Sequence, residues 1–288
     1  MLCSEGQINV IVDVQSDRGD LASAYWVLIP AYNEAPTVRD VVARAQRHCR
    51  NVIVVDDGST DGTSAVLAGL DVTVLRHEEN LGKAASLWAG FQYAMARGAV
   101  GVVTLDADGQ HAPEEIPLFL AASQANPEAF LIGVRRRTQR KTSIWRYSAN
   151  RVADFWISWA AGRSIDDSQS GFRFYPLSFL RGLRVPHGKS QSFVFESEAL
   201  IEAAWNGITI ATIAVGVAPR SGPSPSHFRP VLDISRITLM VAAKLLKRGF
   251  YPSGLLRVLS EGLSGRRSEE HLVGVQRPSR SETIKERW

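Results

Sequence analysis

Hydrophobic residues come in short runs between residues 25 and 134, and stretches with helical periodicity separate these runs. Each run is rich in apolar and β-branched residues and has the length of a buried strand. Strands that alternate with helices are typical of an α/β domain built on a mainly parallel sheet. The predicted strands are Trp26 to Ile29, Asn51 to Val55, Val72 to Leu75, Val100 to Leu105 and Phe130 to Val134.

Two helices are predicted between these strands. Pro36 suits a first helical turn, and apolar residues recur at helical spacing from Val38 to Ala45. A second helix should follow Asn80-Leu81-Gly82-Lys83 and run from about Ala84 to Met95, with one shared apolar face. The first two strands and the helix between them therefore form one βαβ unit.

The pattern changes after Val134. Seven basic residues follow with no acid between them: Arg135, Arg136, Arg137, Arg140, Lys141, Arg146 and Arg151. Beyond them the sequence predicts a helix from Asn150 to Ala161, a strand from Ser192 to Phe195 and a helix from Glu198 to Ala204. Residues 221 to 226 have the composition of a loop.

The last part of the chain differs from the rest. From Ser235 to Arg248 the sequence predicts a basic amphipathic helix. On a helical wheel its cations lie on one side and its apolar residues on the other: Arg236, Lys244, Lys247 and Arg248 are opposite Ile234, Val241, Leu245 and Leu246. The apolar face can lie on a membrane surface with the cations toward anionic lipid, or it can pack on the preceding domain, and both interpretations stay open. From residue 264 to 288 charges alternate in sign and few apolar residues remain, which predicts a disordered tail.

Composition excludes several classes of protein. The 288 residues are 45% hydrophobic and 22% charged, as in ordinary globular proteins. A net charge of +4 favours anionic partners, without choosing among nucleotide, nucleic acid and membrane. Cys3 and Cys49 give neither a disulfide framework nor a cysteine metal site, which fits a reducing cytoplasm. We expect no secretory signal and no membrane span, since the uncharged run Ala203 to Pro219 is too short and is interrupted by glycines.

Two carboxylates follow the strand that ends at Leu105, in the segment Asp106-Ala107-Asp108-Gly109-Gln110-His111. Because strand residues alternate between faces, positions i and i+2 project to the same side and both carboxylates can reach one ion. Oxygen ligands suit Mg²⁺ or Mn²⁺, which usually share their coordination with substrate phosphates. The alternative is a polar loop that caps the next helix.

Polar segments also follow the first two strands. Tyr32 and Glu34 stand where open α/β sheets bind ligands, so Tyr32 can stack on a base and Glu34 can accept a hydrogen bond from the ring or ribose. After the second strand, Asp57 lies at the same edge of the sheet and is a candidate for the same nucleoside. The alternative is a pair of turns in which Ser59 or Asp61 caps a helix.

These segments, in this order, resemble the successive motifs of family 2 glycosyltransferases with the GT-A fold. Within that family, Asp167-Ser168-Gln169-Ser170-Gly171-Phe172-Arg173 is similar to the branch of dolichyl- and polyprenyl-phosphate sugar transferases. The resemblance covers roughly residues 25 to 220. The motifs that carry it are Ile29 to Glu34, Val54 to Thr63, Asn80 to Lys83, Asp106 to His111 and Asp167 to Arg173.

The resemblance implies a Rossmann-like GT-A catalytic domain over residues 25 to 220, after an N-terminal extension of residues 1 to 24. It also implies a set of site residues. Pro30, Tyr32, Glu34, Asp57, Lys83 and Asp106 would bind the donor nucleotide, and Asp106, Asp108 and Gln110 would hold Mg²⁺ or Mn²⁺. Arg135, Arg151, Gln169 and Glu196 would contact phosphate or acceptor, and Asp167, Asp108 and Arg173 would be the catalytic residues.

The reaction that the resemblance implies is displacement at an anomeric carbon with inversion. Negative charge builds on the departing diphosphate, and a divalent cation and arginines stabilise it. A lipid-phosphate acceptor, whose second pKa is about 6, can attack without losing a proton, whereas a sugar hydroxyl needs a carboxylate base. Asp167 is the best candidate for that base or for orienting the acceptor, with Glu196 and Glu198 weaker; alternatively, Asp166 and Asp167 only begin a turn.

The expected function is therefore transfer of a sugar from a UDP- or GDP-sugar to a polyprenyl phosphate or another lipid-linked acceptor at the cytoplasmic membrane face. Residues 221 to 263 would form a loop and an amphipathic region at the membrane surface or against a membrane-protein partner. A sugar hydroxyl or a small molecule is the alternative acceptor. A sugar nucleotidyltransferase is disfavoured, because no glycine-rich phosphate loop follows the first strand.

Two further alternatives concern binding without sugar transfer. The basic run around Trp145 and Tyr147 has the ingredients for RNA binding, but no RNA-binding motif accompanies it, and we expect no nucleic-acid partner. A non-catalytic nucleotide-binding module is disfavoured because Asp106, Asp108 and Asp167 are all retained.

Overall fold

The computed structural model describes residues 24–135, 144–188, 194–216 and 230–263. Its strands are β1 (Tyr25–Ala31), β2 (Val52–Asp56), β3 (Thr73–Arg76), β4 (Gly101–Thr104), β5 (Phe130–Arg135), β6 (Arg173–Pro176) and β7 (Ile210–Val215). Its α-helices are α1 (Val38–Ala45), α2 (Lys83–Ala96), α3 (Ile116–Ala125), α4 (Ile144–Ala161), α5 (Leu177–Gly182), α6 (Phe195–Trp205), α7 (Pro230–Lys247) and α8 (Pro252–Leu263).

The five predicted strands are present, each within a few residues of its predicted bounds. The strand predicted from Ser192 to Phe195 is wrong at its described end, because Val194 lies in a turn and Phe195 begins α6. Strands β6 and β7 and helices α3, α5 and α8 are additional elements. The N-terminal residues 1–23, most of the basic segment (136–143), the predicted loop at 221–226 and the tail from 264 lie outside the described residues.

The seven strands form one sheet in the order β3-β2-β1-β4-β6-β5-β7. Only β6 runs against its neighbours, since it pairs antiparallel with both β4 and β5 while the other pairs are parallel. The register places Ala31 beside Asp56, and Thr104 beside Arg173. The carboxyl ends of β1, β2 and β4 therefore meet the amino end of β6 at one edge of the sheet.

Alternating strand residues build a hydrophobic layer on each face of the sheet. Leu28 packs with α2, α4 and α6 on one face, whereas Val27 and Ile29 pack with α1 and α3 on the other. Strands β1, β2 and β4 are buried on both faces, which explains why they read as continuous apolar runs. The arrangement confirms the predicted α/β fold with a mainly parallel sheet.

Helix α7 packs on this domain. Ile237, Val241 and Leu245 join the core on the face that carries α4 and α6. Lys244 is also buried, and its ammonium group lies 2.9 Å from Glu198 Oε1 and contacts Glu202. The described helices include none that is long and apolar enough to cross a bilayer.

Candidate active site

The loops after β1 and β2 are joined to each other by hydrogen bonds at the edge where the strand ends meet. Asn33 has a positive φ of 54°, and its backbone N–H donates to Ser59 Oγ at 2.9 Å. In return, Thr60 N–H donates to Asn33 Oδ1 at 2.9 Å, and Glu34 N–H donates to Thr63 Oγ1 at 3.0 Å. Two segments that the sequence assigned to a nucleoside site thus form one connected surface.

Asp57 links this surface to the start of α2. Its carboxylate is buried and accepts hydrogen bonds from Leu81 N–H at 2.9 Å and Gly82 N–H at 2.8 Å. His77 Nδ1 lies 2.8 Å from the same carboxylate. Because Gly82 directly precedes the first residue of α2, Asp57 fixes the position of Lys83.

Lys83 joins two carboxylates from different parts of the chain. Its Nζ lies 2.7 Å from Asp106 Oδ1, after β4, and 3.0 Å from Glu196 Oε2, in the first turn of α6. Burial opposes the charged forms, but attraction within the cluster raises the pKa of Lys83 and lowers the pKa of Asp106. Lys83 and Asp106 are therefore ionised at neutral pH, with Lys83 supplying positive charge next to the first carboxylate of the Asp-x-Asp pair.

The residues after β4 have the donor chemistry of a hard-cation site. Asp108 Oδ1 accepts a hydrogen bond from Gln110 N–H at 3.0 Å, so the two side chains are in one tight turn. In the described part of the chain, no three His, Cys, Asp or Glu side chains form a metal cluster by themselves. Two carboxylates and one amide nevertheless fit Mg²⁺ or Mn²⁺, which keep waters and take phosphate oxygens as further ligands.

Gly171 makes room for Asp106. A Cβ atom at this glycine would lie 2.4 Å from Asp106 Oδ2, closer than any side chain allows. Thr104 Oγ1 donates to the Gly171 carbonyl at 2.8 Å, which holds the two segments together. The contact places the loop before β6 directly against the carboxylate that follows β4.

His111 is a buried residue next to the candidate cation ligands. It is buried against Phe172, with ring centroids 5.4 Å apart, and its Nδ1 has no hydrogen-bond partner among the described residues. Burial lowers the pKa of His111, against the attraction of Asp106 and Asp108. We therefore treat it as a neutral imidazole at physiological pH, beside the candidate cation ligands.

Asp167, in the loop before β6, forms a two-pronged ion pair with Arg135, the last residue of β5. Arg135 Nη2 lies 2.5 Å from Asp167 Oδ1, and its Nε and backbone N–H donate to Oδ2 at 2.7 and 3.0 Å. The hydrogen bond to Asp167 raises the pKa of Arg135, against burial. Asp167 has a positive φ of 55°, an unusual backbone conformation for a non-glycine residue outside helices and strands.

Arg173 is hydrogen-bonded to the backbone of the same loop. It is fully buried, and its guanidinium donates to the carbonyls of Ser168, Ser170 and Glu196, each at 2.6 Å. The side chain therefore binds the chain's own backbone, which assigns it a supporting place rather than the direct substrate contact expected from the sequence. Gln169 is nearby, with its Nε2 3.2 Å from Ser197 Oγ of α6.

The structure does not bring all the predicted residues into this cluster. Pro30 and Tyr32 lie at the end of β1 and just beyond it, both partly exposed, on the nucleoside side of the edge. Arg151 lies on an exposed part of α4. Glu196 belongs to the cluster through Lys83, and its Oε1 is buried without a hydrogen-bond partner among the described residues.

Asp154 is a site residue that the sequence analysis missed. Its Oδ1 accepts hydrogen bonds from Ser168 N–H at 2.9 Å and Ser168 Oγ at 2.6 Å. Burial raises the pKa of Asp154 to about 6, although the bonds from Ser168 oppose the shift. Ser158, one turn later on α4, accepts from Ile165 N–H at 3.0 Å, so α4 holds the loop at two points. The available signal was that Asp154 is the only acid in the sequence of α4.

The candidate site contains two chemically different regions. On one side, Asp106, Asp108 and Gln110 offer oxygen ligands, with Lys83 as a fixed cation. On the other, Arg135 and Asp167 form a partly exposed ion pair that can exchange partners with an anion. This combination suits a reaction in which a diphosphate leaves from one side and an anionic group approaches from the other.

Comparison with known proteins agrees with this description. The model of the family "Glycosyl transferase family 2" matches residues 26–193, which is more than half of the chain. A UDP-N-acetylglucosamine–dolichyl-phosphate N-acetylglucosaminyltransferase of Methanococcus voltae is 29% identical over 66% of this chain and 84% of its own length. A polyprenol monophosphomannose synthase of Mycolicibacterium smegmatis is 31% identical over 67% of this chain and 77% of its own length.

A solved structure shares the fold. Glucosyl-3-phosphoglycerate synthase from Mycobacterium tuberculosis, in complex with Mn²⁺, UDP-glucose and phosphoglyceric acid, superposes with a TM-score of 0.58 at 21% identity. The match covers 80% of this chain and 82% of that one. The fold is therefore the GT-A type expected from the motifs, and the chain belongs to glycosyl transferase family 2 and is a glycosyltransferase.

Proposed function

We propose that the chain transfers a sugar from a nucleotide-sugar donor to a polyprenyl phosphate or a related lipid phosphate, with inversion at the anomeric carbon. The observation that carries the proposal is the hydrogen bonding of the Asp167 carboxylate. Both of its oxygens already accept hydrogen bonds from Arg135. A carboxylate so engaged is poorly placed to take a proton from a hydroxyl, whereas a phosphate acceptor brings its own negative charge.

On the donor side, the loops after β1 and β2 hold the nucleoside. Tyr32 is partly exposed at the sheet edge and presents a ring on which the base stacks. Glu34 is buried, and its carboxylate and backbone are tied to Thr37 and Thr63, so it gives a fixed acceptor for the ribose or the base. Asp57 acts indirectly, since it holds the start of α2 rather than facing outward.

The diphosphate lies between Asp106, Asp108 and Lys83. Asp106, Asp108 and Gln110 would hold Mg²⁺ or Mn²⁺, which neutralises charge on the departing diphosphate. Lys83 adds a second positive charge, and its pairing with Asp106 and Glu196 keeps it at a fixed position. A preorganised cation of this kind stabilises charge that develops as the glycosidic bond breaks.

On the acceptor side, Arg135 is the group that receives the phosphate. Its guanidinium can form two parallel hydrogen bonds with a phosphate, as it does with Asp167. When the phosphate takes part of this contact, Asp167 orients the guanidinium and so sets the line of attack. Arg151 and Gln169 complete the acceptor region, and Arg173 and Asp154 act as positioning residues beneath the loop.

The family relatives support the choice of acceptor class. The Methanococcus protein is named as a transferase of N-acetylglucosamine to dolichyl phosphate, and the Mycolicibacterium protein as a synthase of polyprenol monophosphomannose. Such acceptors are held in a bilayer, so we infer that this chain works as a peripheral protein at the cytoplasmic face of a membrane. The catalytic domain in this proposal spans residues 25 to 220, and α7 and α8 belong to the part that faces the lipid.

The test is a transfer assay with separate donor and acceptor panels. The chain is incubated with Mn²⁺, UDP- or GDP-sugars, and either a short-chain isoprenyl phosphate or the corresponding isoprenol. We expect transfer to the phosphate and none to the alcohol, with the product anomer opposite to that of the donor by NMR. Transfer to the alcohol or to free sugars at an equal rate would contradict the proposed acceptor. Formation of a nucleotide sugar from a sugar phosphate and a nucleoside triphosphate would contradict the reaction class.

A further inference from the structure

Six large apolar side chains lie on the surface of α4, α7, α8 and the turn between the last two. These residues, which we call the apolar patch, are Val152, Trp156, Leu239, Leu246, Phe250 and Leu256. Their exposed fractions range from 40% to 70%. Apolar residues scattered singly over a surface need no explanation, but a group of them on adjoining elements marks an interaction site.

The elements that carry the patch adjoin one another, since α7 and α8 both pack on α4. Trp156 stacks on Trp159 with ring centroids 5.3 Å apart, and Trp159 Nε1 donates to the carbonyls of Phe250 and Tyr251 at 3.1 and 3.2 Å. Leu239 and Leu246 are seven residues apart on α7 and therefore share one face. The face of α7 that packs on the core, with Ile237, Val241 and Leu245, is a different one. Helix α7 thus has a second apolar stripe, which its packing on the domain leaves uncovered in the described structure.

The turn between α7 and α8 holds Phe250 outward. Gly249, Phe250 and Tyr251 all have positive φ angles, of 58°, 62° and 43°. Tyr251 packs so closely on Gly162 that a Cβ atom there would lie 2.5 Å from its ring. Because Tyr251 is fixed inward, the neighbouring Phe250 is presented to solvent with 60% of its surface exposed.

Basic side chains border the patch. Arg236 and Lys247 are both exposed and lie three turns apart on one side of α7. Together with Leu239 they line a groove of about 390 Å³, beside the buried pair of Lys244 and Glu198. From residue 230 to 263 the sequence has five basic and two acidic residues. The surface therefore combines apolar side chains with cations at their edge.

We propose that the apolar patch, with Arg236 and Lys247 at its border, binds the surface of an anionic lipid bilayer. Apolar side chains enter the boundary between headgroups and acyl chains, and the cations contact anionic headgroups. The proposal rests on the proposed function only for the location of the acceptor. Four of the six patch residues lie on α7, on α8 or in the turn between them, beyond residue 193, where the match to the family model ends.

Charge disfavours the other occupants. A second copy docked through the same face would bring two sets of cations together, at a cost in repulsion. The segment 264–288 has six basic and four acidic residues, so it does not complement a basic surface either. An anionic bilayer complements both the apolar and the cationic parts of the surface.

The experiment is co-sedimentation of the full chain with vesicles of phosphatidylcholine alone or mixed with phosphatidylglycerol. We expect binding that rises with phosphatidylglycerol and falls with salt. The double variant Leu239→Glu/Leu256→Glu should bind at least about tenfold more weakly, since each leucine loses the free energy of burial. Val100→Glu is the control, because Val100 is another exposed apolar residue and lies just before β4 rather than on the helices of the patch. Equal binding by the double variant and the control would overturn the proposal.

A second pair of variants tests the cations. Arg236→Gln/Lys247→Gln should lose roughly tenfold in binding to the anionic vesicles, at about 1 kcal/mol or less for each charge near the surface, and little on phosphatidylcholine alone. Arg50→Gln/Arg181→Gln removes the same charge from exposed positions elsewhere and should bind normally. If the leucine variants misfold by circular dichroism, Leu239→Ser/Leu256→Ser replaces them. Analytical ultracentrifugation that shows a dimer in the wild type and a monomer in the leucine variant, without vesicle binding, would favour a second copy and reject the bilayer.

Failure of this proposal is distinguishable from failure of the proposed function. Patch variants should keep transfer to a short-chain isoprenyl phosphate in solution, because no patch residue lies in the candidate active site. Patch-dependent vesicle binding without transfer to any lipid phosphate would leave the surface intact and reject the acceptor. Transfer to the soluble phosphate without vesicle binding would support the acceptor and reject the bilayer-binding surface.

Discussion

Asp57 and Asp167 are both buried carboxylates at the same edge of the sheet, but they are held by different groups. Asp57 accepts hydrogen bonds from two backbone N–H groups and contacts His77, all within the donor-side loops (residues 32–35, 57–63 and 77–82). Asp167 accepts its hydrogen bonds from the backbone and side chain of Arg135, across the acceptor-side loop (residues 165–172). One carboxylate fixes backbone and the other holds a long side chain that can move.

The difference matches what each half of the site has to do. The donor-side loops bind a nucleoside of constant shape, and hydrogen bonds among backbone groups preorganise them for it. The acceptor-side loop must admit an anionic headgroup, and an arginine that exchanges one partner for another allows this without refolding the loop. Variants that act on one half should therefore change donor binding, and variants that act on the other should change transfer.

The largest effect is expected from Asp108→Asn. The change removes a charged oxygen ligand from the candidate cation site while keeping the size of the side chain. We expect transfer to fall by on the order of a hundredfold or more, with the loss partly recovered at high Mn²⁺. Steady-state rates across a Mn²⁺ series measure this. Glu128→Gln is the control at an exposed position, and an unchanged rate in a correctly folded Asp108 variant would reject the metal assignment.

Asp167→Asn should affect transfer more than donor binding. Asparagine tolerates the positive φ at this position, so the backbone can stay as it is. The amide no longer neutralises Arg135 and offers it a single acceptor, so the guanidinium loses its orientation. We expect kcat to fall by roughly ten- to a hundredfold, with UDP affinity by calorimetry changed by less than about threefold.

Asp166→Asn is the adjacent control for this variant and should retain most activity. If the Asp167 variant loses donor affinity in proportion to its rate, the acceptor-side role of Asp167 is wrong.

The sequence predicts the donor side better than the acceptor side, and the reason is physical. Each donor-side motif follows directly after an apolar strand, so local pattern places it at the sheet edge. Strand β6 is four residues long, and its direction is set by pairing with β4 rather than by its own sequence. That antiparallel direction brings Gly171, in the loop that also holds Asp167, against Asp106. The residues around Asp167 do not by themselves predict this position.

Helix α7 also has contacts that its own sequence does not predict. Its periodicity predicts an amphipathic helix, and one apolar face does pack on the domain. The same periodicity groups Lys244 with the outward cations, but its buried contacts with Glu198 and Glu202 come from a helix about 40 residues earlier. Likewise, the family motif predicts a catalytic role for Arg173, while its three carbonyl partners depend on how the loop folds around it. Partners distant in the chain decide which charged residues face a ligand.

Gly171→Ala tests the contact that joins the two halves. The new methyl group would lie within 2.4 to 2.8 Å of the Asp106 carboxylate, which must then shift and disturb its contact with Lys83. Because small displacements of a charged group are costly in catalysis, we expect kcat/KM to fall about tenfold with a modest loss of stability. Gly182→Ala is the matched control, since nothing lies within 4 Å of a Cβ atom there. Equal activity of the two variants would show that the position of Asp106 is not critical.

The smallest effect concerns Asp154 and pH. Its pKa in the folded chain is about 6, above the ordinary value of 3.8, because burial disfavours the charged form. The folded state therefore holds this proton more tightly than the unfolded state does. Asp154 thus favours the folded state at low pH, and its contribution declines as pH rises from about 4 to 6, by at most roughly 3 kcal/mol.

Asp154→Asn should flatten that part of the pH dependence, while its amide oxygen still accepts a hydrogen bond from Ser168. Thermal midpoints of both proteins at pH 4, 5, 6 and 8 provide the measurement, with Asp71→Asn as an exposed control. We expect the wild type to lose stability relative to the variant between pH 4 and 6 and to run parallel to it above pH 7. A constant difference across the series would mean that Asp154 titrates normally. The loop before β6 would then be held by Ser158 and Arg173 without a titrating partner.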